Sequence, residues 1–134
     1  MSDNNNKLLP LFMDTIAAGF PSPAGDYLEK QIDLNDELIS NKAATFLVRV
    51  SGRSMEDANI FDGDVLIIDR SLEPKNQAII VAVIDGDFTV KRLEYKGDKV
   101  WLIPENTDFT PIDVSGNESF RVWGVVTYII HKAQ

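Results

Sequence analysis

Beyond residue 40 the chain alternates apolar and polar positions at a period of two. Thr45 to Val50, Asp64 to Asp69, Ala78 to Ile84, Phe88 to Leu93, Val100 to Ile103 and Phe120 to Ile130 are rich in β-branched and aromatic residues. Turn residues separate them, which is the pattern of strands packed on a core. Asp85-Gly86 joins two of these runs and predicts a tight hairpin, because glycine accepts the positive φ of such a turn. Lys96-Gly97-Asp98 and Ser115-Gly116-Asn117 mark further turns. The expectation is a compact, mainly β domain over residues 41–134.

Residues 1–40 differ in kind. They carry seven acids, two bases and three prolines, with few β-branched residues, and read as an extended N-terminal arm. Phe20-Pro21-Ser22-Pro23 is expected to be extended, since each proline fixes its own φ and pushes its predecessor out of the helical region. Asp26-Tyr27-Leu28-Glu29 has the form of a capping box, and Leu34, Leu38 and Ile39 fall near helical spacing. One or two short helical turns are expected there.

Composition narrows the chemistry. The 134 residues carry 13 Lys and Arg against 21 Asp and Glu, a formal charge of −8, which disfavours broad contact with nucleic-acid phosphates. The absence of Cys excludes disulfides, thiol nucleophiles and thiolate metal sites. A single histidine, His131, makes a histidine-based triad or a multi-histidine metal site hard to build. The longest apolar stretch, Ala78 to Ile84, is far short of the roughly 18 residues of a spanning helix. Pro10 interrupts Leu8 to Phe12, so no signal-peptide core is seen and a cytoplasmic protein is expected.

What remains for nucleophilic catalysis is Ser or Thr with a Lys base, or carboxylates. Ser54 lies in Val50-Ser51-Gly52-Arg53-Ser54-Met55-Glu56-Asp57, where a strand ends at a glycine and a helix-like turn begins. Such a junction can present a hydroxyl and leave backbone N–H groups free for an oxyanion, or Ser54 can simply cap the turn. Lys91 shares a strand face with Thr89, opposite Phe88 and Val90. On an inner strand its charged form is disfavoured, the neutral amine becomes a general base, and Thr89 can orient it by a hydrogen bond. On an outer strand the same residues form a solvated face. Asp62-Gly63-Asp64 and Asp85-Gly86-Asp87 read as turns with solvated acids, and neither matches a calcium loop. No phosphate-binding glycine loop is present, so neither metal nor cofactor is expected.

Taken in order, Gly52-Arg53-Ser54-Met55, Asp62-Gly63-Asp64-Val65-Leu66 and Phe88-Thr89-Val90-Lys91-Arg92-Leu93 resemble the Ser/Lys peptidase domain of the LexA, phage repressor and UmuD family. Ala17-Ala18-Gly19-Phe20 resembles that family's self-cleavage site. Phe20 to Tyr27 and Ile32-Asp33-Leu34-Asn35 look like its UmuD branch. The likeness runs from about Ile16 to the end. It implies a LexA/signal-peptidase-like β domain, Ser54 as nucleophile, Lys91 as neutral general base with Thr89 supporting it, and Ala18-Gly19 as the scissile bond. It also makes the backbone N–H groups of Arg53 and Ser54 the candidates for the oxyanion hole. Arg53 stands where UmuD relatives often carry Asp, and Ala18 where some carry Cys.

By the same resemblance, a RecA–single-stranded-DNA filament promotes cleavage, and the product starting at Gly19 serves a UmuC-like translesion polymerase as a homodimer. About 40 residues precede the first strand of the domain, fewer than the roughly 70 of a winged helix-turn-helix, so repressor activity is not expected. The alternatives are a non-catalytic interaction subunit and a LexA-type regulatory peptidase lacking a DNA-binding domain. Residues 1–18 carry two acids and one base, so the cut form remains acidic and is expected to reach DNA through proteins.

Overall fold

A computed structural model describes residues 7–12, 18–19 and 28–133. The chain divides into two compact units, Met1–Ser40 and Asn41–Gln134. No helix among the described residues is long and apolar enough to cross a membrane.

In the first unit, strand β1 (Leu8–Phe12) pairs antiparallel with β2 (Leu28–Asp33), and a single-turn helix, α1 (Leu34–Leu38), follows directly. Pro10 lies inside β1 opposite Gln31; with only one partner strand, the N–H that proline lacks is not needed on the open edge. One expectation changes here. Leu28 and Glu29, read as part of a capping box, are extended in β2. The helical turn expected after Asp33 is present, and the Asp33 carboxylate caps it by accepting from Asn35 N–H at 2.9 Å. Phe20-Pro21-Ser22-Pro23 and Asp26-Tyr27 lie outside the described residues.

The second unit is built on one antiparallel sheet. Its strands are β3 (Thr45–Arg49), β4 (Val65–Asp69), β5 (Ile79–Ile84), β6 (Asp87–Lys96), β7 (Lys99–Ile103), β8 (Ile112–Asp113) and β9 (Arg121–Ile130). They lie in the order β3-β4-β9-β5-β6-β7-β8. All six expected strand regions form within a few residues of their expected ends. Asp85 and Gly86 make the two-residue turn between β5 and β6 with φ of 51° and 83°, the mirror-image turn whose twist matches the flanking strands.

Alternation sorts side chains onto two faces of the sheet, and each face has its own apolar cluster. Leu66, Ile68 and Val81 pack with Met55 and Ile60, which reach in from the loop after β3. Ile80, Ala82, Leu93, Leu102 and Val114 form the second cluster. β9 crosses between β4 and β5 at Gly124, where an added methyl group would overlap Ile68 Cγ2; glycine is what lets these strands approach. The far end of β9, Tyr128 to Ile130, stays exposed.

Candidate active site

The site begins with a closed loop. Val50 N–H donates to Asp64 O at 2.7 Å and Gly63 N–H to Val50 O at 2.8 Å, so the chain leaves and rejoins the sheet at one point. Gly52 turns with a φ of 101°, open to glycine at little cost, and its N–H donates to Asp62 Oδ1 at 2.8 Å. Met55, 3% exposed, and Ile60, fully buried, fasten the loop to the core. Ser54 is the residue before that anchor.

A short 3-10 helix, Glu56–Ala58, follows, and its cap is Met55 without a side-chain hydrogen bond. Ser54 is therefore not a helix cap. Its Oγ lies 3.0 Å from Lys91 Nζ. Arg53 points outward and pairs with Glu56 at 2.9 Å; the hydrogen bond and charge of Glu56 raise the pKa of its guanidinium. The N–H groups of Arg53 and Ser54 donate to no acceptor among the described residues, which leaves them available beside the hydroxyl.

Lys91 comes from β6, an inner strand between β5 and β7, and is 8% exposed. The solvated alternative is thereby excluded. Burial lowers its pKa, because removing water penalises the ammonium. Its Nζ also lies 2.8 Å from Thr89 Oγ1 and 3.0 Å from Val90 O. An ammonium donates to all three partners; once the amine is neutral, its two N–H bonds serve Thr89 and Val90 and its lone pair faces the hydroxyl of Ser54. That is the arrangement of an activated serine.

Two depressions flank the pair. On the Ser54 side is a groove of about 240 Å³ with apolar walls that include Val48, Val50, Val81, Phe88 and Val90. On the Lys91 side is a cleft bordered by Asp85, Asp87, Phe109 and Ile112. The dyad thus opens to surface on both sides, as a group that acts on a polypeptide must. Ala18 and Gly19 are exposed in the first unit.

The structure adds residues that sequence reasoning passed over. Asp64, read as a solvated turn acid, is 3% exposed. Its carboxylate accepts Phe61 N–H at 2.8 Å and lies 2.6 Å from His131 Nδ1. Burial alone would raise its pKa, but the Phe61 N–H and His131 outweigh that and hold it below the ordinary value. The only histidine thus braces the end of the loop. Asn106, after β7, donates through Nδ2 to Arg53 O at 2.8 Å. The local signal for it was slight: an Asx turn in Asn106-Thr107-Asp108, with Asp108 N–H on Asn106 Oδ1 at 3.0 Å.

Comparison with known proteins gives the family. Residues 10–127 match the family described as Peptidase S24-like. The chain is 42% identical over 137 residues to Protein ImpA of Salmonella typhimurium, covering 99% of this chain and 90% of that protein. It is 45% identical over 121 residues to Protein MucA of Escherichia coli, covering 90% of this chain and 82% of the relative. With the LexA repressor of Bordetella avium (strain 197N) it shares 41% identity over 123 residues, which is 92% of this chain but 57% of the repressor. An inner-strand lysine facing a loop serine, inside a match that spans most of the chain, places the protein in the S24-like peptidase family as a UmuD-like serine peptidase of SOS mutagenesis.

Proposed function

We propose that the protein cuts its own Ala18-Gly19 bond, with Ser54 as nucleophile and Lys91 as general base. The observation that carries this reading is the 3.0 Å approach of a buried lysine amine to the Ser54 hydroxyl. Neutral Lys91 takes the proton as Ser54 Oγ attacks the carbonyl carbon of Ala18, and the oxyanion that forms is held by the N–H groups of Arg53 and Ser54. Collapse breaks the C–N bond, and Lys91 returns the proton to the nitrogen of Gly19. An ester between Ala18 and Ser54 remains; water, deprotonated by Lys91, hydrolyses it and frees Ser54. The small side chains of Ala18 and Gly19 suit a narrow approach, and Gly19 eases the backbone bend. The segment between Gly19 and β3 contains β2 and α1, so its reach is shorter than that of a fully extended chain.

In this reading the protein works in the cytoplasm, a RecA–single-stranded-DNA filament promotes the cut, and the product beginning at Gly19 pairs as a homodimer and serves a UmuC-like translesion polymerase. The family resemblance supports these partners, and exposed Tyr128, Ile129 and Ile130 offer apolar surface for pairing. The acidic balance supports contact with DNA through proteins rather than directly.

Intact mass spectrometry tests the proposal on purified protein held at pH about 10, where lysine loses its proton without an activator, and at neutral pH with and without the filament. Cleavage after Ala18 that disappears in Ser54→Ala and Lys91→Ala is the expected result. Protein that stays whole, or cutting that survives Ser54→Ala, would falsify the peptidase assignment.

A further inference from the structure

The peptide group between Arg53 and Ser54 carries both the Arg53 carbonyl and the Ser54 N–H. In a planar trans peptide these point in opposite directions, so whatever holds the carbonyl also aims the N–H. Arg53 O accepts two hydrogen bonds, from Asn106 Nδ2 at 2.8 Å and from Glu56 N–H at 3.3 Å. The shorter one comes from another part of the chain, 53 positions away.

Asn106 is itself well fixed. Its side-chain oxygen accepts Asp108 N–H at 3.0 Å and its carbonyl accepts Phe109 N–H at 3.1 Å. Its neighbour Glu105 accepts Asp57 N–H through its backbone carbonyl at 2.7 Å, a second tie to the serine loop. The Glu105 carboxylate takes Arg92 Nε, and Arg92 Nη1 donates to Gln77 O at 2.6 Å. Arg92 follows Lys91 on β6, so the strand that presents the amine also anchors the turn that grips the Arg53–Ser54 peptide. The first half of Asn106's amide serves its own turn; the second half reaches only the serine loop.

We propose that Asn106 is a positioning residue for peptide cleavage: by holding Arg53 O it keeps the Ser54 N–H aimed at the oxyanion. This rests on the Ser54/Lys91 reading above. Asn106 touches neither the scissile bond nor the reacting atoms. Losing an oxyanion donor outright costs about 100- to 1,000-fold in rate; losing only its brace should cost less, roughly 10- to 100-fold.

The test is the rate of alkaline self-cleavage across pH in the full chain. Asn106→Asp keeps the acceptor for Asp108 N–H but cannot donate to Arg53 O. Asn106→Ala removes both without adding charge. Both variants are expected to lose about tenfold or more at the plateau, and Asn106→Ala should keep the wild-type midpoint of the pH–rate curve, since the surroundings of Lys91 are unchanged. Wild-type-like rates in both variants overturn the assignment, as does a shifted midpoint in Asn106→Ala, which means a disturbed Lys91. Wild-type protein that never cuts removes the peptidase reading and this one together, and that outcome is seen before any variant is made. If neither variant folds, the through-hydrogen-bond NMR coupling between Asn106 Nδ2 and the Arg53 carbonyl carbon in the wild type decides: its presence supports the brace and its absence overturns it.

Discussion

Lys91 Nζ lies 3.0 Å from Ser54 Oγ, although one residue belongs to an inner strand and the other to a loop 37 positions earlier. The sheet holds the amine and the core holds the loop, so neither group has to search for the other. Ser54→Ala and Lys91→Ala should each lower alkaline self-cleavage by about 1,000-fold or more. Lys91→Arg should fail equally, because a guanidinium does not lose its proton in this range. The wild-type rate should climb with pH and level off below the ordinary lysine value of about 10.4, since burial lowers the pKa of Lys91. A rate that is flat or falls toward alkaline pH, measured by intact mass, speaks against Lys91 as the base.

Thr89 Oγ1 sits 2.8 Å from the same amine. Thr89→Val keeps the shape of the side chain and deletes the hydroxyl, so the amine loses one of the two groups that orient it. The expected result is a fall of about tenfold in self-cleavage, within the range of a misplaced acid–base group, with thermal unfolding little changed.

Lys91 also affects stability. Its folded pKa is lowered, so below that value the fold must hold a buried ammonium that the unfolded chain keeps in water. Stability therefore rises as pH climbs through the folded pKa toward the unfolded value. Lys91→Met removes the charge from a site that is 8% exposed and should stabilise the inactive protein by on the order of 1 kcal/mol at neutral pH. The gain should shrink above about pH 10. Urea unfolding at both pH values checks this.

Asp64 gives the opposite pH limb. Its carboxyl is held below the ordinary range despite burial, by Phe61 N–H and His131. The stability it contributes is complete above the unfolded value of about 3.9 and is lost as pH falls through the lower folded value. Asp64→Asn should lower stability by about 1–2 kcal/mol at pH 7 and make the acid limb shallower. A variant with an unchanged acid limb shows that other carboxylates control acid unfolding.

Gly124 faces Ile68 Cγ2 where β9 crosses β4. Gly124→Ala should cost about 1–3 kcal/mol through overpacking, and less in an Ile68→Ala background, where the obstructing methyl is gone. Equal costs in both backgrounds, measured by denaturant unfolding, mean that the clash is not the cause.

The strands of the second unit were legible because alternation is a local signal, repeated over four or more residues and punctuated by glycine turns. Ser54 and Lys91 were each legible only as one of two readings until the family resemblance paired them. The rest depended on contacts that no local pattern carries. Asp64 looked like a solvated acid beside Gly63, and its partner His131 is 67 positions away. Asn106 earns its place by a bond to a carbonyl 53 positions back. In the first unit, no local pattern paired β1 with β2; a two-stranded ribbon leaves one side of each strand unpaired, and Pro10 can sit there.

The turn at Asp85-Gly86 has a consequence for how this family can tolerate change. It sets the register in which Thr89 faces Ala82 and Lys91 faces Ile80 across β5. Successive strand side chains point to opposite faces, so inserting one residue in that turn, with the register kept from the far end of the hairpin, leaves Lys91 in place and shifts the strain into the loop. The same insertion after residue 89 swaps the phase of every residue before it relative to Lys91, separating the amine from Thr89. Length changes in this hairpin are therefore constrained by parity: an even change preserves which side chains share the face of the amine, and an odd one between Thr89 and Lys91 turns the orienting hydroxyl to the other face without touching Ser54 or Lys91.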